Sequence, residues 1–546
     1  MNNVFKELID LLNKEFKKFD LNESVQLNLS KISEFDMQIN NLVKYNKTDF
    51  FNNLQKNIIE IIDSTKFFQP VEENEIGFLN LVFNHSFLIK HLTNKKSDFF
   101  NDNAQKIIFD YGGPNIGKPL HVGHMRTLNI GRSLYNIHSF IGNNVISDIH
   151  LGDWGMPIAQ IITYLENESI DINSLDSSQL EIIYPKASEQ YKDSEDFKIR
   201  AQEINKLLND NDSELLEIWG AIKNTSIKSL EENFSLLNHS FDYWLGESDV
   251  NELIPEMIDT LYNNKKIIDD SGALISAEDT DPKILITKSD GSYLYITTDL
   301  ATILYRQNNI GYDKAFYIVD NRQSLHFKQL FDSIKFFEFN NLYHEHISYG
   351  TLNDSDGNPF KTRDGGTKPL SELFEETYEY IKNINSDLED SAIKQLANSV
   401  LTFSDLITNR KTDYKFDLEN FTNVNGKTGI YVQYAQVRAQ KLQQSIAHKN
   451  NEMESLVLSD VDKQLLSQLF MFGYFLEQSS SLNEPHHLAN YLYDISSAFN
   501  QFYEHEKLSE LNDINHLSSK LYLINLFLTT SKNVMFCLGM KPVEKM

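Results

Sequence analysis

The stretch from Lys106 to Asp148 constrains the fold of this chain more than any other. KIIFDY (106–111) is a short apolar run of strand type, and GGPNIGKP follows it with enough glycine and proline to force a turn. From about His121 the spacing predicts a helix, with Leu128, Gly131, Leu134 and Tyr135 on one face, and VISDI reads as a second strand. Strand, glycine-rich turn, helix and strand make one βαβ unit, which predicts a parallel, doubly wound sheet.

At 546 residues the chain exceeds a single hydrophobic core, and about three or four folding units are expected. Residues 1–100 mix apolar helical spacing with short β-rich runs such as GFLNLVF, an α+β pattern. The polar stretch HLTNKKSDFFNDNAQ reads as a linker. Residues 101–390 form the α/β domain. A helical insertion at about 166–260 interrupts it, and its acidic residues read as a solvated helix face. Alternation resumes in ALISAEDTDPKILITKSDGSYLYITTDL and AFYIVDN, which read as further strands, and residues 391–546 are helical in pattern.

Fifty basic against 78 acidic residues give a net charge of −28, which argues against a generic polyanion coat or a histone-like DNA binder, since non-specific phosphate binding needs basic excess, but leaves room for a local basic groove. The single cysteine, Cys537, excludes an internal disulfide and a thiolate-rich zinc site. The apolar run LYLINLFLTTSKNVMFCLG is interrupted at 529–533, so a buried helix is expected rather than a membrane span. The N-terminus carries charges throughout, unlike a signal peptide, and a soluble, intracellular protein is expected.

The sharpest chemical feature is His121-Val122-Gly123-His124, directly after the strand and turn. Residues three apart on a helix share a face, so both imidazoles are expected to point at one ligand. Gly123 lets a flat ring or a phosphate approach the backbone. A helix N-terminus favours phosphate, and Lys118 adds a positive charge beside it. Such a set suits attack on an α-phosphorus, where negative charge spreads over the non-bridging oxygens.

GGPNIGKPLHVGHMRT, with HLGDWG thirty residues later, resembles the signature of class I aminoacyl-tRNA synthetases, specifically the arginyl-tRNA synthetase family. Further segments are similar to that family in order: SYLYITTDLATILYR, IVDNRQSLHFKQ, GNPFKTRDGGTKPLSELFEE, GKTGIYVQYAQVRAQKL and the closing LGMKPVEKM. The resemblance runs from about 105 to 546. It implies a Rossmann-like catalytic domain with doubly wound parallel sheet, an α+β N-terminal domain touching the tRNA elbow, and an all-α C-terminal anticodon-binding domain.

The resemblance implies ATP, brought in with Mg²⁺ and without a dedicated protein metal site, and L-arginine and tRNA(Arg) as the other partners. It also implies a cytoplasmic monomer with no membrane partner. His121, His124, Lys118, Lys361 and Arg363 are the implied catalytic residues, with Gly123 joining His121, His124, Lys361 and Arg363 at ATP. Asn115, His121, Tyr295, Asp299 and Gln323 are the implied arginine-binding residues, Asp299 facing the guanidinium fork. Thr297-Thr298-Asp299 also reads as a helix start, in which Asp299 would be a cap. The FKTR loop departs from the class I KMSKS pattern by lacking the final lysine, a charge that Lys118 is placed to supply. Gly112-Gly113 stands where the family usually has serine. Gly152-Asp153-Trp154-Gly155 reads either as a wall of the site or as a structural turn. Tyr431, Tyr434 and Arg438 at helical spacing read either as helix packing or as a surface for unstacked bases. A synthetase for cysteine would want thiolates and one for glutamate a cation opposite the side chain. Neither fits one cysteine and Asp299.

Overall fold

The computed structural model describes residues 4–32, 34–94, 104–277, 283–339, 342–354, 356–358, 368–446, 457–505 and 513–546. Most of the expected linker (95–103) and the FKTR loop with Lys361 and Arg363 lie outside the described residues. The chain divides into two compact units. One takes residues 103–139 and 143–422, the other 1–102, 140–142 and 423–546.

The first unit is built on β1 (Lys106–Tyr111), α1 (His124–Phe140), β2 (Asn144–Asp148), α2 (Tyr295–Tyr305), β3 (Lys314–Ile318), α3 (Ser324–Phe337) and β4 (Tyr343–His346). The strands form one parallel sheet in the order β4-β3-β1-β2. Ile107, Ile108 and Phe109 run apolar side by side because β1 is central and covered on both faces. Phe109 sits 5.4 Å from the Phe316 ring and 5.5 Å from His138 of α1. On the opposite face Ile108, Ala315 and Tyr317 join a core with Leu300 and Ile303 of α2 and Phe327 and Leu330 of α3. Helices on both faces make this the doubly wound sheet that the βαβ pattern predicts. From β1 the chain crosses to β2 on one side, whereas β3 pairs with the other side of β1. The strand order therefore reverses between β1 and β3, and the crevice beyond their carboxyl ends is where ligands bind in such sheets.

Three local differences from the sequence reading have physical causes. Alternation at 273–287 does yield strands, Ala273–Ser276 and Leu285–Thr287, but they pair antiparallel with Ile267–Asp270 in a separate small sheet. α1 begins at His124, not His121, because the backbone of 121–122 is held by another segment. Val122 N–H donates to Lys368 O, and His121 bridges Pro369. Helix Asp390–Leu406, expected in the C-terminal domain, packs in the sheet unit. Its fully buried Asp405 accepts from Arg126 Nε at 3.0 Å and Asn129 Nδ2 at 3.1 Å, both on α1. The insertion is helical as expected, over Ser177–Asp193, Glu195–Asn209 and Ser213–Leu236. Phe197, Ala201, Ile204 and Leu208 form a buried stripe on its middle helix, opposite a charged, exposed face.

The second unit joins the two chain ends. Its N-terminal part has helices Val4–Lys18, Phe51–Thr65 and His85–Asn94 around an antiparallel sheet of Leu27–Leu29, Met37–Ile39 and Leu79–Leu81. Its C-terminal part is helical: Gly429–Ile446, Asp460–Phe470, Phe472–Ser481, His486–His505 and Ile514–Leu538. Phe470 locks the two parts together, its ring 5.3 Å from both Phe5 and Phe83 and 5.5 Å from Phe67. Helix Ile514–Leu538 runs unbroken through 529–533, because Thr529 Oγ donates to Asn525 O and Ser531 Oγ to Gln436. By length and composition alone it could cross a membrane, but half of its apolar window is buried inside the unit. Truncating Phe470 to alanine should cost this unit about 3–5 kcal/mol, the usual loss for a buried phenylalanine. The check is an earlier urea midpoint in the near-ultraviolet circular dichroism.

Candidate active site

The crevice at the switch point opens into a cleft of about 1700 Å³, lined among others by Asn115, Gly152, Trp154, Glu247, Tyr295 and His326. The β1–α1 connection supplies one wall. Asn115 pairs with Gly152 in a parallel bridge, and Ile116 N–H donates to Gly152 O at 3.1 Å. A Cβ on residue 152 would overlap Asn115 Oδ1, so only glycine leaves the amide of Asn115 its place.

The histidine pair is held by its own backbone. The rings lie 4.0 Å apart between centroids. His121 N–H donates to His124 Nδ1 at 3.1 Å, and Gly123 N–H donates to His121 Nδ1 at 3.1 Å. His121 Nδ1 accepts and so carries its proton on Nε2 when neutral, whereas His124 Nδ1 lies near both the N–H and, at 3.3 Å, the O of His121. Burial drives His124 down to about 3, aided by the charge of a protonated His121. Burial likewise lowers His121 to about 4, with Lys118 and Arg322 adding to it. At neutral pH both rings are therefore neutral imidazoles rather than cations. A Cβ at Gly123 would come within 2.9 Å of the His121 ring, so this glycine makes room for His121 itself. Exposed Lys118 supplies the formal positive charge, its Nζ 5.8 Å above the Tyr184 ring of the insertion.

α2 supplies the opposite wall. It starts at Tyr295 after extended Leu294, two residues before the expected start, so Asp299 lies in its second turn and caps nothing. Tyr295 is exposed to the cleft. Asp299 accepts from His326 Nε2 of α3 at 2.6 Å, and this bond raises the pKa of His326. Gln323 is exposed at the residue before α3; of the described residues expected at the site, Asn115 and Tyr295 line the cleft, whereas Gln323, Asp299, Lys118 and the His121–His124 turn are not among its lining.

Sequence reasoning missed two groups. Glu247, in the short turn Glu247–Val250, places its carboxyl in the cleft, where burial, Asp153 and Asp299 push its pKa up to about 7. It was hidden in a charge-rich stretch read as solvated, although GES after the last insertion helix breaks the helical period. The other group is Arg306, fully buried in the π-turn Arg306–Ile310 at the end of α2. Its Nη2 lies 2.6 Å from both Asp110 Oδ2 and Asp148 Oδ2, at the carboxyl ends of β1 and β2. Burial works against the guanidinium's charge, but the two carboxylates outweigh it, and the group stays protonated. Asp148 Oδ1 in turn accepts from Leu245 N–H at 3.3 Å, two residues before Glu247.

The Gly152-Asp153-Trp154-Gly155 loop serves in both of the ways open from its sequence. Asp153 is fully buried against Lys223 Nζ at 2.6 Å and Ser248 Oγ at 2.7 Å, while Gly152, Trp154 and Gly155 line the cleft. In the other unit, Arg438 is sandwiched between the rings of Tyr434 at 4.6 Å and Tyr503 at 4.4 Å, and Tyr431 packs on Tyr493 at 5.2 Å. Tyr434 and Tyr503 are exposed, so this part of the stripe is a surface rather than a core.

A parallel doubly wound sheet carrying an HxGH turn at its switch point defines the class I aminoacyl-tRNA synthetases. Residues 88–418 match the family model described as tRNA synthetases class I (R), catalytic domain, and residues 432–546 match the DALR anticodon binding domain. The relative named Arginine--tRNA ligase from Francisella tularensis subsp. novicida (strain U112) is 35% identical over 489 residues, 82% of this chain and 83% of the relative. One of the same name from Agathobacter rectalis is 34% identical over 498 residues, 83% of each. The chain belongs to the arginyl-tRNA synthetase family. Its fold is shared with the arginyl-tRNA synthetase of Plasmodium falciparum (TM-score 0.80, 24% identity, all of both chains). It is shared equally with that of Thermus thermophilus (TM-score 0.84, 17% identity, 99% of this chain and 100% of the other).

Replacing Gly152 by alanine should displace the Asn115 amide without unfolding the unit. We expect arginine-dependent turnover to fall by about a hundredfold, the scale of one misplaced donor. Steady-state kinetics, with circular dichroism as the folding control, provide the check.

Proposed function

We propose that this chain activates L-arginine with ATP and transfers it to tRNA(Arg). In the first step a carboxylate oxygen of arginine attacks the α-phosphorus of Mg·ATP. The bond from that phosphorus to the bridging oxygen breaks, and arginyl-adenylate and pyrophosphate form. In the second step a hydroxyl of the terminal adenosine attacks the arginyl carbonyl, and AMP leaves. No covalent enzyme intermediate is required, so catalysis is positioning plus charge stabilisation.

One observation carries the reading. Two carboxylates, Glu247 lining the cleft and Asp299 near enough to raise its pKa, face a cleft that Asn115 and Tyr295 also line. A permanently charged planar guanidinium is the side chain that such a pair selects. Tyr295 forms a wall over it, and Asn115 and His121 take the ammonium and carboxylate end. We assign Gln323 to the same pocket on the family pattern. The neutral imidazoles of His121 and His124 hydrogen-bond the phosphate oxygens as charge develops. Gly123 keeps the approach open, and Lys118 with Lys361 and Arg363 neutralises the phosphates. The helical domain reads the anticodon, with the Tyr434–Arg438–Tyr503 stack as a platform for an unstacked base. The N-terminal domain touches the tRNA elbow. The chain acts as a monomer in the cytoplasm, where tRNA and ATP are found.

Pyrophosphate exchange tests the assignment directly. Exchange that requires arginine, and that is stimulated by tRNA, supports it. Exchange driven by another amino acid, or by none, overturns it. Asp299→Ala should raise the arginine KM by about a hundredfold or more, because a desolvated guanidinium loses its carboxylate partner. An unchanged KM would remove Asp299 from the pocket.

The pocket's ionisation gives a second expectation. Asp299 holds His326 above its ordinary range, and Glu247 titrates at about 7. As the pH falls, a protonated His326 competes for Asp299 and Glu247 loses its charge, so both changes weaken guanidinium binding. The arginine KM should therefore rise from about pH 8 to about pH 6, and Glu247→Gln should flatten part of that rise. Initial rates across that range are the measurement.

A further inference from the structure

In the unit formed by the chain ends, the turn between helices Phe472–Ser481 and His486–His505 reads Glu484-Pro485-His486-His487. Its backbone is tightly specified. Asn483 takes a left-handed φ of 52°, Glu484 N–H donates to Ser479 O at 3.1 Å, and His487 N–H to Glu484 O at 3.4 Å. This turn folds the Glu484 side chain back over the first turn of the following helix, where both histidines project to the same side. Their rings lie 4.1 Å apart with planes 35° from parallel.

Glu484, His486 and His487 each bring one donor atom to within 4.8 Å of the others. Glu484 Oε2 is 3.8 Å from His486 Nδ1 and 3.5 Å from His487 Nε2. Bonds of about 2.0–2.1 Å in a tetrahedron place neighbouring ligand atoms about 3.4 Å apart. Those two edges thus lie within a few tenths of an ångström of a metal-bound geometry. The side chains are largely shielded, with 13%, 18% and 28% of Glu484, His486 and His487 exposed. His487 Nε2 is itself screened from solvent, with the Glu484 carboxylate as its polar neighbour.

The geometry points to a mononuclear metal site in this turn, held by Glu484 Oε2, His486 Nδ1 and His487 Nε2, with water as fourth ligand and Zn²⁺ as the fitting ion. Two imidazoles and one carboxylate suit zinc and disfavour Mg²⁺ and Ca²⁺, which take oxygen ligands. The ion would clamp the turn to the first turn of helix His486–His505. It would stabilise the helical domain by binding only the folded state. None of this depends on the assignment of the cleft, and the two fail separately.

The test uses the full-length, tag-free protein, stripped with chelator and dialysed against micromolar Zn²⁺, with bound metal counted by mass spectrometry. Co²⁺ in place of Zn²⁺ reports geometry through its visible absorption. We expect one ion per chain, tetrahedral cobalt bands and a higher unfolding temperature with metal. Glu484→Gln and His487→Asn should each weaken binding by at least about tenfold while leaving the circular dichroism spectrum unchanged. Substoichiometric zinc in the parent protein would leave a histidine–carboxylate ion pair only and overturn the site. So would binding undiminished in the variants, which would place the metal on other histidines. If His487→Asn does not fold, the isosteric Glu484→Gln decides.

Discussion

The site rests on a single buried guanidinium. Arg306 reaches from the end of α2 to Asp110 at the end of β1 and Asp148 at the end of β2. It therefore ties the helix that carries Tyr295 and Asp299 to β1, whose loop carries Asn115 and the histidine pair, and to β2, whose loop carries Gly152. A fork of this kind has one good geometry, and a buried charge left unpaired costs several kcal/mol, so the helix has little freedom to slip along the sheet. Asp148 extends the link by accepting from Leu245 N–H, which fixes the start of the turn bearing Glu247. Glu247, Asp299, Asn115 and the HxGH turn come from widely separated stretches of chain, and this one ionic knot bears on the elements that carry each of them.

The cleft separates its charges by burial. At the histidine turn, burial keeps both rings neutral, and their Nδ1 atoms are engaged by the backbone, which leaves the Nε2 edges to face outward chemistry. Around Glu247 and Asp299 carboxylates accumulate, and the cost appears as the raised pKa of Glu247 and as the proton that His326 holds against Asp299. Such a region stores repulsion that a cationic side chain relieves on entering. A neutral pair of imidazoles and an acidic pocket thus suit the two ends of one ligand, the reacting carboxylate beside phosphate and the guanidinium.

Much of the architecture was legible because it rests on short-range physics. Lys106–Tyr111 centres on the apolar run Ile107-Ile108-Phe109, which suits a strand covered on both faces. The glycine- and proline-rich turn with its helix then implied the parallel sheet. The resemblance of GGPNIGKPLHVGHMRT and YITTD to known motifs brought Asn115 and Tyr295 to attention, and both line the cleft. Less legible were the element boundaries set by distant partners. α1 starts three residues late because Lys368 and Pro369 hold the backbone at 121–122. α2 starts two residues early, which moves Asp299 from a capping position into the second turn. Helix Asp390–Leu406 joins the sheet unit because Asp405 answers Arg126, more than two hundred residues away in the chain.

By itself the sequence determined which groups are available: a histidine pair on a glycine turn, a lysine before it, an aspartate four residues after a tyrosine, and a single cysteine. Periodicity also set the sheet's direction and the helical character of the C-terminal part. Only the tertiary structure decided which of the many acids work at the cleft. Glu247 is one carboxylate among 78 acidic residues, and the break in helical period at GES marks a turn without marking the acid's role. It differs from the rest because burial and two like charges act on it. Those are properties of the space around a side chain, and that space is enclosed only when segments distant along the chain have packed.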